Sequence, residues 1–171
     1  MVMEPLYFDH VKTPFGIFQI QASTRGLTAI RFPGKFSTRK SSHGKTPQPA
    51  HKALQAGNQF LKRYFSGKTA IHAQVPIDWK RLSSFEIRVL RTLRKVGPSS
   101  VTTYSGLAQK SGFPKGARAV GNALGRNPFP VLIPCHRVLR KDDSLGGFSG
   151  GLHWKRRLLK LEHGLGVKKN R

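Results

Sequence analysis

Residues 127–138 read Asn-Pro-Phe-Pro-Val-Leu-Ile-Pro-Cys-His-Arg-Val, and the rest of the chain is organised around this stretch. It contains Cys135, the only cysteine among 171 residues, and three prolines stand in the eight residues before that cysteine. Because proline fixes its own φ and restricts the residue before it, this backbone is stiff and cannot form a regular helix. The Val-Leu-Ile run at 131–133 predicts a short buried strand that delivers Cys135 to a fixed place.

Cys135 is followed directly by His136 and Arg137. Electropositive surroundings lower the pKa of a thiol below its ordinary value of about 8.5 and favour the nucleophilic thiolate. The sequence therefore predicts a reactive cysteine with a lowered pKa. A buried structural cysteine remains the alternative from local chemistry alone, because free cysteine is among the most buried residue types.

The chain is strongly basic, with 31 Lys and Arg against 7 acidic residues, a formal net charge of +24 and a pI near 11.5. This balance predicts a polyanionic partner, either nucleic acid or an anionic membrane surface. No apolar run approaches the ~18 residues that a bilayer span needs. The first residues lack the basic and apolar regions of a secretory signal, so no such signal is expected. A single cysteine excludes an intramolecular disulfide and a multi-cysteine zinc site. A small ribosomal-type protein would explain the charge but not the Cys-His-Arg sequence.

The first half of the chain carries strand signals over residues 6–32. Residues 15–20 and 27–32 predict an antiparallel hairpin joined through 21–26. Residues 33–50 predict a basic, flexible loop, and a helix is expected from Pro49 to about Gly67. Residues 69–79 predict another strand. Residues 1–79 carry a net charge of +8 and residues 80–171 a net charge of +16, so we expect a domain boundary near residue 80 and a nucleic-acid face in the second half.

The second half opens with the capping box Ser83-Ser-Phe-Glu86, which predicts a helix ending at Gly97-Pro98. Helices are then expected at 104–111 and at about 115–124, separated by a turn at 112–114, which is a helix-turn-helix pattern. The second of these helices is unusual because nearly all its side chains are small, and Gly121 costs ~1 kcal/mol relative to alanine in a helix. Close packing against another helix is one explanation, and entry into the minor groove, about 6 Å wide, is the other.

Several motifs in this half resemble those of the O6-alkylguanine-DNA alkyltransferases, also called methylated-DNA–protein-cysteine methyltransferases. The resemblance covers about residues 82–164 and is loose over 1–81. It rests on Thr-Tyr at 103–104, Arg-Ala-Val-Gly at 118–121, Asn-Pro at 127–128, Pro-Cys-His-Arg-Val at 134–138, Ser-Gly-Gly at 149–151 and Leu-Leu-Lys-Leu-Glu at 158–162.

The resemblance implies an α+β fold with two domains. Residues 1–79 would form a small antiparallel sheet with a helix, ribonuclease H-like and structural. Residues 80–171 would form a mostly helical DNA-binding and alkyltransferase domain with a winged-helix-like helix-turn-helix.

The resemblance also implies a catalytic site. Cys135 would be the nucleophile, His136 the base acting through a water, and Glu162 the carboxylate that orients this histidine, which is the usual arrangement around an activated nucleophile. Tyr104 would disturb the adjoining phosphate and give a proton to the guanine O6. Asn127 would be a hinge between the DNA-binding helix and the active-site strand.

The substrate implied is a guanine alkylated at O6, which an enzyme must extrude from the duplex stack. Arg118 would fill the space that the base leaves. The other residues expected at the DNA are Tyr104, Ala117, Ala119, Gly121 and Asn122. The residues expected around the extruded guanine are Val138, Ser149, Phe148, Pro130 and Gly150, with Phe148 where many family members carry tyrosine.

The expected partner is double-stranded DNA containing O6-alkylguanine, bound by a monomer, with no membrane, no cofactor and no metal. The thioether formed on Cys135 is stable, so each chain would react once. A cytoplasmic protein is expected, or a nuclear one in a eukaryote. Two alternatives are a non-enzymatic recognition protein of the same fold, whose relatives lack the cysteine, and an unrelated Cys-His hydrolase, whose histidine comes from a distant part of the chain.

Overall fold

The computed structural model describes residues 4–36, 46–68 and 74–163. It forms two compact units, Met1–Arg81 and Leu82–Arg171. Both helices and a small antiparallel sheet are present, so the predicted α+β class is confirmed. Residues 37–45 of the predicted basic loop and residues 69–73 of the predicted strand lie outside the described residues.

The first unit contains a three-stranded antiparallel sheet in the order β1-β2-β3. The strands are β1 (Tyr7–Thr13), β2 (Gly16–Ser23) and β3 (Gly26–Arg31). The predicted hairpin is thus confirmed for β2 and β3, with longer strands and a shorter turn. The strand predicted at 69–79 is wrong for residues 74–79, where Ile77 forms only an isolated bridge to Leu27.

Helix α1 (Gln48–Phe65) packs one face on this sheet. The buried face includes Leu54, Gly57 and Leu61, as the apolar spacing predicts. A Cβ on Gly57 would lie 3.0 Å from Cδ1 of Leu27 on β3. Glycine at this position therefore allows the helix to approach the sheet closely.

The second unit begins with helix α2 (Ser84–Arg94), and its predicted capping box is confirmed. The Glu86 backbone N–H donates to Ser83 Oγ at 3.3 Å, and the Ser83 backbone N–H donates to Glu86 Oε2 at 3.0 Å. Val89, Leu90 and Leu93 form the buried face of α2. These reciprocal bonds satisfy backbone donors that a helix start otherwise leaves open.

The predicted helix-turn-helix is also confirmed. Strand β4 (Thr102–Thr103) leads into α3 (Tyr104–Lys110), and α4 (Ala117–Gly125) follows the turn. Thr103 caps α3, because its Oγ1 accepts the Gly106 N–H at 3.0 Å. Helix α2 packs against both α3 and α4, which leaves the opposite side of α4 open.

The strand predicted at 131–133 is wrong, because these residues form a buried turn. Val131 has a φ of +73°, and the Ile133 N–H donates to the Phe129 carbonyl at 2.8 Å. Prolines at 128, 130 and 134 have no N–H for a strand ladder, so the apolar run is buried without pairing. Cys135 then opens a short 3₁₀ helix, Cys135–Arg137.

The chain completes the second unit with β5 (Val138–Leu139) and α5 (Leu152–His163). Strand β5 pairs in parallel with β4, and α5 packs on the 3₁₀ helix that carries Cys135. The cysteine segment is therefore held between the helix-turn-helix and α5. In the part of the chain that the structure describes, no helix is long and apolar enough to cross a membrane.

Candidate active site

Cys135 is almost completely buried, with 4% of its surface exposed, and Asn127 holds its sulfur. The side-chain amide of Asn127 donates to Cys135 Sγ at 3.2 Å and to the Ile133 carbonyl at 3.0 Å. The Asn127 side-chain oxygen accepts the Phe129 N–H at 3.0 Å. Asn127 therefore fixes the turn before Cys135 and also contacts the thiol, a contact that the predicted hinge role does not include.

The pKa of the Cys135 thiol is raised, so the predicted lowering is wrong. Burial is the main cause, and the hydrogen bond from Asn127 and the charge of Lys155 oppose it only in part. Burial disfavours the charged thiolate. The protein therefore keeps the thiol protonated at rest, and ionisation requires a base within the site.

His136 follows Cys135 and is fully buried beside a carboxylate and an arginine. Nε2 of His136 lies 2.8 Å from Glu162 Oε1. Arg137 donates from Nε to Glu162 Oε2 at 2.9 Å and from Nη2 to Oε1 at 2.8 Å, and also binds the Val96 carbonyl. Arg137 thus points at Glu162 and forms a paired contact of the kind that is strong in proteins.

The pKa values in this network leave His136 neutral and Glu162 ionised, so His136 can act as a base. Burial lowers the pKa of His136, which keeps the imidazole neutral, although Glu162 acts in the opposite direction. Burial would raise the pKa of Glu162, but hydrogen bonds from His136 and Arg137 hold it well below its usual 4.5. An ionised carboxylate accepts hydrogen bonds, so Nε2 of His136 carries the hydrogen and Nδ1 is the basic nitrogen.

A cavity of about 370 Å³ opens beside Cys135. This volume is within the range of small-ligand sites. Burial raises the pKa of Tyr104 on its wall, so this phenol keeps its proton. The residues that line the cavity are Tyr104, Gly121, Leu124, Gly125, Cys135, Arg140, Gly147, Phe148 and Ser149.

The predicted pocket residues are only partly brought together. Phe148 and Ser149 line the cavity, whereas Pro130, Val138 and Gly150 are buried and lie outside its lining. The Val138 carbonyl accepts from Lys155 Nζ at 2.7 Å. The turn at 131–133 places Pro130 in the packed interior, and the pairing of β5 with β4 does the same for Val138.

Tyr104 is the first residue of α3, and the other predicted DNA-contacting residues lie on the open side of α4 or at its edge. Arg118, Ala119 and Asn122 are exposed, and Ala117 and Gly121 are half-buried. A Cβ on Gly121 would meet the Tyr104 ring at 3.7 Å, an ordinary contact. The contact with Tyr104 therefore does not require glycine at 121, and Gly121 also lines the cavity beside Cys135.

The contacts that Lys155 and Arg137 make at this site were not predicted from the sequence. Lys155 is fully buried on α5, and its Nζ binds the carbonyls of Val138 and Leu145. Burial lowers the pKa of Lys155 to about 8. The available signal was helical spacing, because Lys155 lies on the same face of α5 as Leu158 and Leu159.

Comparison with known proteins gives the same family from sequence. A family model described as 6-O-methylguanine DNA methyltransferase, DNA binding domain, matches residues 84–164. The methylated-DNA–protein-cysteine methyltransferase of Haemophilus influenzae is 33% identical over 161 residues, covering 94% of this chain and 88% of that one. The protein of the same name from Mycolicibacterium paratuberculosis is 34% identical, and the match covers 89% of each chain.

Solved structures agree. A crystal structure of Mycobacterium tuberculosis OGT in complex with DNA has a TM-score of 0.75 and 30% identity, covering 94% of this chain and 95% of that one. An O6-methylguanine-DNA methyltransferase from Pyrococcus kodakaraensis has a TM-score of 0.62 and 25% identity, covering 92% and 98%. These matches leave no room for an unrelated Cys-His hydrolase. The chain belongs to the methylated-DNA–protein-cysteine methyltransferase family.

Proposed function

We propose that this protein repairs DNA by moving an alkyl group from O6 of guanine irreversibly to Cys135. The observation that carries the proposal is a lone thiol that lines a cavity beside a buried His136–Glu162–Arg137 network. DNA is the partner, and the net charge of +24 suits a polyanion. We further propose that the protein acts as a monomer in a reducing compartment, the cytoplasm or a nucleus.

The reaction begins with proton transfer from the Cys135 thiol to Nδ1 of His136, through a water. Glu162 stabilises the imidazolium that forms, and Arg137 keeps Glu162 ionised. The thiolate then attacks the alkyl carbon, an S–C bond forms, and the C–O bond breaks with its electron pair on guanine. Tyr104 donates a proton toward O6, and the proton held by His136 restores the phenol. The thiol loses one proton and guanine gains one, so the reaction balances.

A direct assay tests the proposal. Duplex DNA carrying a labelled methyl group at guanine O6 is incubated with the protein, which is then digested and sequenced by mass spectrometry. The label is expected on the peptide containing Cys135. Label that stays on the DNA, or label on another residue, would overturn the proposed reaction.

The exposed face of α4 is proposed to enter the minor groove, with Arg118 holding the target base out of the stack. Extrusion costs a few kcal/mol. Arg118→Ala is therefore expected to slow repair of duplex DNA by about tenfold or more, since 1.4 kcal/mol corresponds to tenfold. Reaction with free O6-benzylguanine should be unchanged, because a free base has no stack to leave.

The matched control is Lys115→Ala, which removes one exposed positive charge from the turn before α4. Rates on both substrates are measured under identical salt conditions, since charge loss alone weakens DNA binding. Equal loss on duplex and free base in Arg118→Ala would show that Arg118 supports the fold or the cavity. If both variants lost the same fraction of the repair rate on duplex DNA, Arg118 would contribute only its positive charge.

A further inference from the structure

We propose that Arg140 binds a backbone phosphate of the nucleotide whose base occupies the cavity. The inference rests on the proposed function and adds a contact that the sequence analysis did not assign. Arg140 lines the cavity, but the proposed proton and alkyl transfers do not use it.

Arg140 is an exposed residue, yet it lines the same cavity as Cys135 and Tyr104. Gly146 locates it further. A Cβ on Gly146 would lie 2.9 Å from Tyr104 Oη and 3.4 Å from Arg140 Cγ. The stem of Arg140 and the Tyr104 hydroxyl therefore flank the same point, and the exposed arginine stands at the mouth of the cavity while Cys135 stands at its buried wall.

The backbone that carries Arg140 is fixed on both sides. The Arg140 N–H donates to the Ser144 carbonyl at 2.9 Å, and the Asp143 N–H donates back to the Arg140 carbonyl at 3.1 Å. The buried Lys155 ammonium binds the carbonyls of Val138 and Leu145, before and after this turn. Because the turn is closed in this way, little backbone entropy is lost when Arg140 engages a ligand.

Arg140 has no ion-pair partner in the described part of the chain, although its charge acts on nearby Asp142, whose pKa is lowered mainly by hydrogen bonds from Ser144 and also by Arg140. All seven acidic residues of the chain lie in the described ranges, and within those ranges no carboxylate pairs with Arg140. The nearby Asp142 instead accepts the Ser144 hydroxyl at 2.7 Å. By contrast, Arg137 and Arg126 are paired with Glu162 and Glu86. A guanidinium at the mouth of the cavity that has no ion-pair partner can bind an anion of the ligand.

A backbone phosphate is the anion that the reaction brings to this point. When a base enters a cavity, its sugar and phosphates stay at the mouth, because only the base is extruded from the stack. The planar guanidinium fork matches two phosphate oxygens. Contacts to phosphate fix register without reading sequence, which suits an enzyme that must act wherever the damage occurs.

The test replaces Arg140 and the phosphate separately and together. Arg140→Gln is expected to lower the rate of methyl transfer from duplex O6-methylguanine by about tenfold, the size of one hydrogen bond to a charged group. A neutral methylphosphonate at one of the phosphates flanking the lesion should lower the wild-type rate similarly. In Arg140→Gln the same methylphosphonate should have no further effect. Transfer from the free base O6-methylguanine should not change.

Arg156→Gln is the matched control, because it removes the same charge from the exposed face of α5. Any reduction in the transfer rate that it causes should add to the reduction caused by the methylphosphonate. The proposal would be overturned if, at every flanking phosphate, the methylphosphonate lowered the rate of methyl transfer as much in Arg140→Gln as in the wild-type protein. So would an equal loss on the free base, or a loss confined to DNA with an anionic alkyl group. A wild-type protein that transfers no methyl group would instead refute the proposed function itself.

Discussion

Cys135→Ala is expected to abolish methyl transfer and to leave duplex binding nearly unchanged. Cys135 is the only thiol of the chain, and the thioether sulfur of methionine is a far weaker nucleophile. The open face of α4 and the charge of the protein do not depend on the sulfur. Asn127 loses one acceptor but keeps the Ile133 carbonyl at 3.0 Å, so the cost in stability should be about 1 kcal/mol.

Two measurements check this expectation. Transfer of labelled methyl from duplex DNA to protein is followed by gel, and affinity for the same duplex is followed by fluorescence anisotropy. The wild-type protein should become labelled and the variant should not, while their dissociation constants agree. Labelled Cys135→Ala protein would show that another residue accepts the methyl group. Loss of DNA binding would show that the substitution disrupts the fold.

Glu162→Gln is expected to reduce both the rate and the stability strongly. Glutamine has nearly the same shape but no charge, so it cannot stabilise the His136 imidazolium, and the buried Arg137 loses its counter-ion. Acid–base assistance contributes about 10²–10⁴-fold to rates, and we expect a loss of at least about 10²-fold. Breaking a buried ion pair costs about 3–5 kcal/mol in the free energy of unfolding.

The pH dependence of stability gives a separate signature. The folded-state pKa of Glu162 is depressed, so its contribution is present above its ordinary value of 4.5 and is lost as pH falls below that value. Burial lowers the pKa of His136 below 6.5, so protonation of this histidine also reduces the free energy of unfolding as pH falls. Glu162→Gln should lose the first component, so its unfolding free energy should fall less steeply below pH 4.5.

Glu86→Gln is the matched control. Glu86 pairs with Arg126 at 3.1 Å, but the Arg126 side chain is 68% exposed. Exposed pairs contribute about 0–1 kcal/mol, and glutamine can also serve in a capping box. Urea denaturation and single-turnover kinetics of the two variants should therefore differ clearly. Equal effects would mean that the buried network has no special role in the reaction.

The parts of the fold that the sequence predicts are those set by neighbouring residues. The Ser83–Glu86 capping box fixes the start of α2, and alternation with a turn fixes the hairpin of β2 and β3. The helix-turn-helix follows from apolar spacing and the turn at 112–114. In each case the interactions that decide the structure join residues a few positions apart, so a local pattern contains them.

One error concerns a local pattern: the apolar run at 131–133 has strand composition, but the prolines that flank it have no N–H for a strand ladder. The other errors arise where distant residues or burial decide the structure. Arg137 was expected to lower the thiol pKa, yet it is drawn to Glu162, 25 positions away. Lys155 was not expected inside the protein at all. Burial of Cys135 then outweighs the positive charges near it, and the sequence contains no direct measure of burial.

Cys135 is expected to accept one alkyl group and to keep it. This expectation is tested by the intact mass of the protein after incubation with an excess of duplex containing O6-methylguanine. Displacement leaves S-methylcysteine, a thioether with no good leaving group at neutral pH, and neither His136 nor Glu162 can reverse that bond. We predict that each chain gains one methyl group, on Cys135, and that repair stops when all chains are methylated. Repair of more lesions than there are protein chains, or a protein mass that does not change while lesions disappear, would show that the methyl group does not remain on Cys135.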